Sequence, residues 1–244
     1  MPPLTRGAHT ARLAENPAEV AAAQALRHQS FRAARGLSPD AGHDSDHFDA
    51  ACQHMLITET TTGRLVCCYR VMALAGGSAI DQSYAAQFYG LASLALFPGP
   101  LLELGRFCMH PDQHDPDILR LAWAALTRLV DDGGVKLLFG CSSFQGTDPL
   151  PHHAALSHLA ARHLAPPQWS PGIKARETVD LRGLTHTPDA GAMPPLLQTY
   201  LAMGAWVSDH AVIDREMDTL HVFTGLEIAA IPAARSRALR ALAG

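Results

Sequence analysis

The chain carries no excess of positive charge: its 244 residues have a formal net charge of -4. Binding to a phosphate backbone calls for a basic surplus or a basic stripe, so nucleic acid is excluded as a partner. Cysteines are few and poorly placed for cross-linking. Cys52, Cys67, Cys68, Cys108 and Cys141 make an odd count, two of them are adjacent, and no Cys-x-x-Cys occurs. This argues against a disulfide framework or a zinc knuckle and for reduced thiols in a cytoplasmic protein. Long apolar runs are lacking too. The most apolar stretch, residues 91–104, is cut by Pro98, Gly99 and Pro100 and is too short to span a bilayer. The first twenty residues lack the apolar core of a signal peptide. The expectation is a cytoplasmic protein, soluble or peripheral at a membrane.

What is present is a globular composition, with 48% hydrophobic residues. Residues 1–16 read as an irregular arm. Asn16-Pro17 opens a helix that runs to near Gly36, and the polar, turn-rich residues 38–49 form a loop. Residues 54–58 and 64–73 read as an antiparallel hairpin around Gly63. A short helix is expected over 83–91 and a strand over 100–109. An acidic N-cap starts a helix over 117–132, which Gly133-Gly134 ends. A buried strand follows over 136–142, then a helix over 152–163. Strands over 176–181 and 209–214 flank a helix over 195–203, and a basic amphipathic helix over 232–243 closes the chain. No repeat and no linker divides it. This order predicts a single α/β (α+β) domain built on a mixed sheet with helices on both faces.

Two segments carry chemistry. The loop holds Asp44, Asp46 and Asp49. Three carboxylates so close together suit a metal, a cationic substrate or a solvated turn, although the EF-hand glycine and terminal Glu are missing. The strand segment LELGR places Glu103 and Arg106 in otherwise apolar surroundings. Buried charges need partners, so the pair is either functional or a structural ion pair, and a bulge at Gly105 would bring the two together. The histidines at 152, 153, 158 and 163 lack a carboxylate at ligand spacing, and no metal site is expected.

These residues resemble a known family. The run Ala25 to Phe31, DHFD at 46–49, Tyr69-Arg70 and LELGR at 102–106 are similar to the ornithine–acyl-carrier-protein N-acyltransferases, which are GNAT-type enzymes. The likeness continues through FGCSSFQGTDP at 139–149, RHLAPP at 162–167, PPLLQTYLAMGA at 194–205 and SDHAVID at 208–214. The acyl-homoserine-lactone synthases are more distantly similar, sharing Arg27, Phe31, Asp46, Asp49, Arg70, Glu103 and Arg106. This chain lacks their tryptophan after the first helix, where Gly36-Leu37 stands.

The resemblance implies a GNAT-type, mostly antiparallel sheet and transfer of a (3-hydroxy)acyl group from acyl carrier protein to the α-amino group of ornithine or a related amino acid. The glycine-rich pyrophosphate loop of coenzyme-A-using members is replaced by HPDQHDPDIL at 110–119. Asp112, Asp115 and Asp117 would repel a pyrophosphate, which favours a carrier-bound thioester over any free cofactor.

A thioester needs no protein nucleophile, and no Gly-x-Ser-x-Gly is present. It needs a deprotonated amine and an oxyanion donor. Glu103 is read as the base or as a scaffold, with Arg106 and Arg70 setting its charge environment. Backbone N–H groups near Phe107 and Cys108 are read as oxyanion donors. Arg27, Phe31, Asp46 and Asp49 are assigned to the acceptor side, and Ser142 and Ser143 to the pantetheine or to strand-end caps. Arg235, Arg237 and Arg240 make the last helix a surface for an acidic carrier protein or an anionic membrane, or a solvated end. Two other readings stay open: a lactone-forming signal synthase, and a non-catalytic carrier-protein or membrane-binding module.

Overall fold

A computed structural model of the chain describes residues 1–33, 36, 42–185, 187 and 191–243. Along the chain run β1 (Leu4–Arg6), β2 (His9–Leu13), α1 (Pro17–Phe31), β3 (Gln53–Glu59), β4 (Leu65–Leu74), β5 (Tyr89–Gly90) and β6 (Leu101–Met109). Then come α2 (Pro116–Asp132), β7 (Leu137–Gln145), α3 (His153–Arg162), β8 (Gly172–Ile173), β9 (Thr178–Asp180), α4 (Pro195–Leu201), β10 (Trp206–Asp214), β11 (Thr219–Glu227) and α5 (Ala233–Ala243). The residues gather into two compact units.

The first unit comprises Met1–Ala73, Leu104–Gly134 and Ala233–Gly244. Its strands lie in the order β1-β2-β3-β4-β6. Successive residues of β4 show which helix covers which face, because strand side chains alternate. The Cys68 thiol donates to the Ala23 carbonyl of α1, whereas the Tyr69 hydroxyl donates to the Ala122 carbonyl of α2. The two helices therefore cover opposite faces, as expected. Ala23, Leu26, Leu56, Cys68 and Cys108 pack together under α1. Helix α2 starts where Asp115 accepts from the Asp117 N–H, with Pro116 in the first turn, and buries Ile118, Leu121, Ala122 and Ala125.

The second unit comprises Leu74–Glu103 and Val135–Pro232. Its strands lie in the order β6-β7-β11-β10-β9, with β5 and β8 as a separate pair. The first residues of β6 run parallel to β7, with Glu103 opposite Phe139, while β7, β11, β10 and β9 pair antiparallel. Helices α3 and α4 bury Leu156, Leu159 and Leu197 against Phe144, Val207, Leu220 and Val222.

Three expectations are corrected, and one strand is new. The arm over 1–16 is a β-hairpin: β1 pairs with β2 around Gly7 at φ +55°, and β2 pairs along its length with β3. Its alternation of Thr, His and Arg is a weak strand signal, and pairing with β3 decides it. The helix expected over 83–91 is a 3-10 turn, Ala85–Gln87, followed by β5. Helix α1 stops at Phe31, and Gly36 instead closes a turn onto the Ala33 carbonyl at φ +69°. Leu37 and residues 38–41 of the expected loop lie outside the described residues. Strand β11 was not foreseen at all. It is buried from Thr219 to Leu226, so the period-two alternation that reveals a half-exposed strand is absent.

Candidate functional site

In the first unit, three arginines from three elements meet three aspartates from one loop. Arg27 lies on α1, Arg70 on β4 and Arg106 on β6. Arg27 binds Asp44 through Nε at 2.9 Å and Asp49 through both terminal nitrogens at 2.8 and 3.0 Å. Arg70 binds Asp49 at 2.6 Å and grips both oxygens of Asp46 at 2.6 and 2.8 Å. Arg106 lies 3.3 Å from Asp46 and 3.0 Å from Asp44. Read in order, Arg27–Asp49–Arg70–Asp46–Arg106–Asp44 closes on itself.

Local structure holds the ring in shape. Asp46 caps the 3-10 turn His47–Ala51 by accepting from the Phe48 N–H, and Asp49 accepts in return from the Asp46 N–H. Gln24 of α1 donates to Asp49 at 2.9 Å, and His54 Nε2 lies 3.0 Å from the Asp49 carbonyl. Phe48 lies beneath the Arg70 guanidinium, 5.9 Å from its ring centroid. Arg106 has φ +53°, a left-handed conformation that a non-glycine residue adopts at some cost. The irregularity expected at Gly105 thus sits one residue later, and the charged partners of Arg106 are Asp44 and Asp46.

Formal charge cancels within the ring, and each of the three carboxylates accepts a hydrogen bond from a guanidinium. That balance permits burial. Arg27 and Arg70 side chains are 1% and 3% exposed, whereas Arg106 and Asp46 reach 14% and 21%. The Arg106–Asp46 edge is the most exposed part of the ring. Burial by itself would raise the Asp49 carboxyl, but hydrogen bonds from Arg27 and Arg70 outweigh it and hold it well below the usual carboxylate range. Asp46 is lowered by the same competition, mainly through Arg70. Depressed carboxylates contribute stability that is complete above their unfolded values, near 4, and is lost as pH falls through the folded values. Thermal stability should therefore hold from neutrality down to about pH 4 and fall steeply below it. An Asp46→Asn/Asp49→Asn variant should show a much flatter acid limb in the same scan.

In the second unit, Glu103 is buried and both its oxygens accept backbone N–H groups, from Tyr84 and Ala85, each at 2.8 Å. A carboxylate held this way has a fixed orientation. Around it the chain folds back through Tyr84 against Phe88 and Phe88 against His221. The Thr224 hydroxyl donates to Ser142 at 2.8 Å, so Ser142 is buried in the sheet, while Ser143 is exposed.

The remaining expected residues divide by face. Phe31 packs against the cluster beneath α1, and Cys108 lies on that face with its sulfur 3.5 Å from that of Cys68. Phe107 points the other way and stacks on Tyr69 at 5.6 Å. At the start of α2, Asp117 is paired with Arg6 and Arg120, and Asp112 lies 3.6 Å from Arg64. On α5, Arg240 is paired with Asp131, while Arg235 and Arg237 are exposed. Sequence reasoning noted Asp44 only as part of an acidic loop and missed Gln24 and His54.

A family model described as an acetyltransferase (GNAT) domain matches residues 26–124, a span containing the whole ring and Glu103. The L-ornithine N(alpha)-acyltransferase of Rhodobacter capsulatus is 32% identical over 224 residues, covering 86% of each chain. That of Rhizobium meliloti is 30% identical over 237 residues, covering 90% of this chain and 80% of its own. Among solved structures, FeeM, an N-acyl amino acid synthase from uncultured soil microbes, aligns over 99% of this chain and 98% of its own at 12% identity and a TM-score of 0.49. With 30% identity or more to the two ornithine acyltransferases over at least 80% of each, the chain belongs to the L-ornithine N(alpha)-acyltransferase family.

Proposed function

We propose that the chain transfers a fatty acyl group, 3-hydroxylated or plain, from acyl carrier protein to the α-amino group of ornithine or a closely related amino acid. The observation that carries this reading is the likeness to ornithine acyltransferases over almost the entire chain. In the reaction, the free α-amine attacks the thioester carbonyl, a tetrahedral oxyanion forms, and the pantetheine thiolate leaves as the amide closes. Glu103 takes the proton that the ammonium group must lose, directly or through water, from the fixed orientation set by Tyr84 and Ala85. The ring positions Arg70 and Arg106, and its Arg106–Asp46 edge offers a guanidinium and a carboxylate to the charged ends of an amino acid. Backbone N–H groups near Phe107 and Cys108 receive the oxyanion. No tightly held cofactor is required.

A carrier-bound donor is supported by the start of α2. Asp115 accepts the Asp117 N–H at 2.8 Å with its own side chain, so the helix terminus is capped by a carboxylate where a pyrophosphate would need open N–H groups. The exposed Arg235 and Arg237 of α5 suit an acidic carrier protein. The test presents purified protein with ornithine and either 3-hydroxyacyl carrier protein or the matching acyl-coenzyme A, and reads products by mass spectrometry. N-acylornithine should form, with kcat/KM for the carrier-bound donor at least about tenfold higher. No N-acylornithine from either donor would sink the reading, and equal use of both donors would remove the carrier preference.

A further inference from the structure

We infer that two uncharged segments of the second unit, residues 88–100 and 164–173, form a surface that rests on the headgroup region of an anionic lipid bilayer. Neither segment contains a charged side chain. They run against each other: Gly90 lies opposite Gly172, the Ser93 hydroxyl donates to the Ser170 carbonyl at 2.8 Å, and Phe97 meets Trp169 at 4.9 Å between ring centroids. Leu96 is 85% exposed and Ile173 66% exposed, on these two joined segments. Ala92, Pro98 and Pro167 are exposed beside them, and Trp169 is half-buried. Single exposed apolar side chains are ordinary on a soluble surface; an uncharged strip with two nearly bare aliphatic residues and a tryptophan is not.

The charges around the strip select the occupant. Lys136, exposed, donates its backbone N–H to the Pro100 carbonyl; Lys174, whose ammonium donates to the Ala86 carbonyl at 2.6 Å, and the exposed Arg176 come just after Ile173. Against these cations stand Asp81, on the neighbouring turn Gly77–Gln82, and Glu177, whose carboxylate is held by Arg215. Aliphatic residues and a tryptophan rimmed by Lys and Arg match the acyl boundary and phosphate layer of an anionic leaflet. No helix among the described residues is long and apolar enough to cross a membrane, so the contact is with the surface. The choice of a bilayer also rests on the proposed reaction, whose product is an amphiphile that partitions into lipid.

Flotation of the full chain with phosphatidylcholine vesicles, with and without phosphatidylglycerol, tests this directly. The wild type should float with the anionic vesicles and far less with the neutral ones, and Leu96→Asp/Ile173→Asp should lower partitioning at least about tenfold. Both substitutions are at exposed sites, so the thermal midpoint and lipid-free transfer to ornithine should stay close to wild type. Failure of the wild type to float, or equal flotation of the variant, overturns the inference. A vesicle-independent change of oligomeric state in the variant would also overturn it, by showing that a protein covers the strip. The lipid-free transfer assay judges the reaction separately, so the two proposals fail independently.

Discussion

Arg27→Met should destabilise the protein by ~3–5 kcal/mol, because it strips Asp44 and Asp49 of a buried counter-ion while leaving their charge in place. For a chain of this size that corresponds to a fall of about 10 °C in the thermal midpoint. The side chain is 1% exposed and spans two aspartates with three hydrogen bonds to their carboxylates, so water cannot replace what is lost without opening the unit. Arg27→Lys should recover little of the loss, since a single ammonium cannot reproduce a planar fork bound to Asp44 and Asp49 at once. Arg215→Met removes an exposed partner of Glu177 and should leave the midpoint nearly unchanged. Equal midpoints for the Arg27→Met and Arg215→Met variants, read by circular dichroism, would show that the ring carries no special stability.

Glu103→Gln should lower kcat by at least about tenfold with little change in the ornithine KM, as expected for loss of a base rather than of a binding contact. The same change has a structural cost. Its amide nitrogen would face one of two N–H donors, from Tyr84 or Ala85, and a buried donor without an acceptor costs ~1–3 kcal/mol. The two effects separate in a pH profile. If Glu103 accepts the proton, the acid limb of kcat/KM disappears in the variant; if it only orients the Tyr84–Ala85 turn, the profile keeps its shape and only the amount of folded enzyme falls. Rates per folded molecule matching wild type at every pH would reduce Glu103 to a brace.

Some of this was legible before any coordinates. The hairpin of β3 and β4, strand β6, helix α2 and helix α3 follow from local signals: Gly63 at a turn, Pro116 and an acidic cap at a helix start, Gly133-Gly134 at its end. Glu103 and Arg106 could be picked out because charges in an apolar strand demand partners, Asp46 and Asp49 because they stand in an acidic loop, and Arg27 and Arg70 through the family resemblance. Who partners whom could not. Asp44 and Asp49 are 17 and 22 positions from Arg27, and Arg106 is 60 positions from Asp46. Pairings of that span depend on how the strands align, which no local pattern encodes. The same holds for β2, ordered by β3, and for β11, buried on both faces between β7 and β10.

Sequence by itself determined the residue types and pointed to the family: an ornithine N-acyltransferase resemblance carried by Glu103 and the Arg and Asp residues of the ring. Tertiary structure alone decided that the acidic loop is spent internally, three carboxylates against three guanidinium groups, with the Arg106–Asp46 edge the most exposed part. The physical reason is the cost of burying charge. A loop of aspartates is equally comfortable in water or around a cation until the fold brings α1, β4 and β6 together and supplies three cations that must be neutralised.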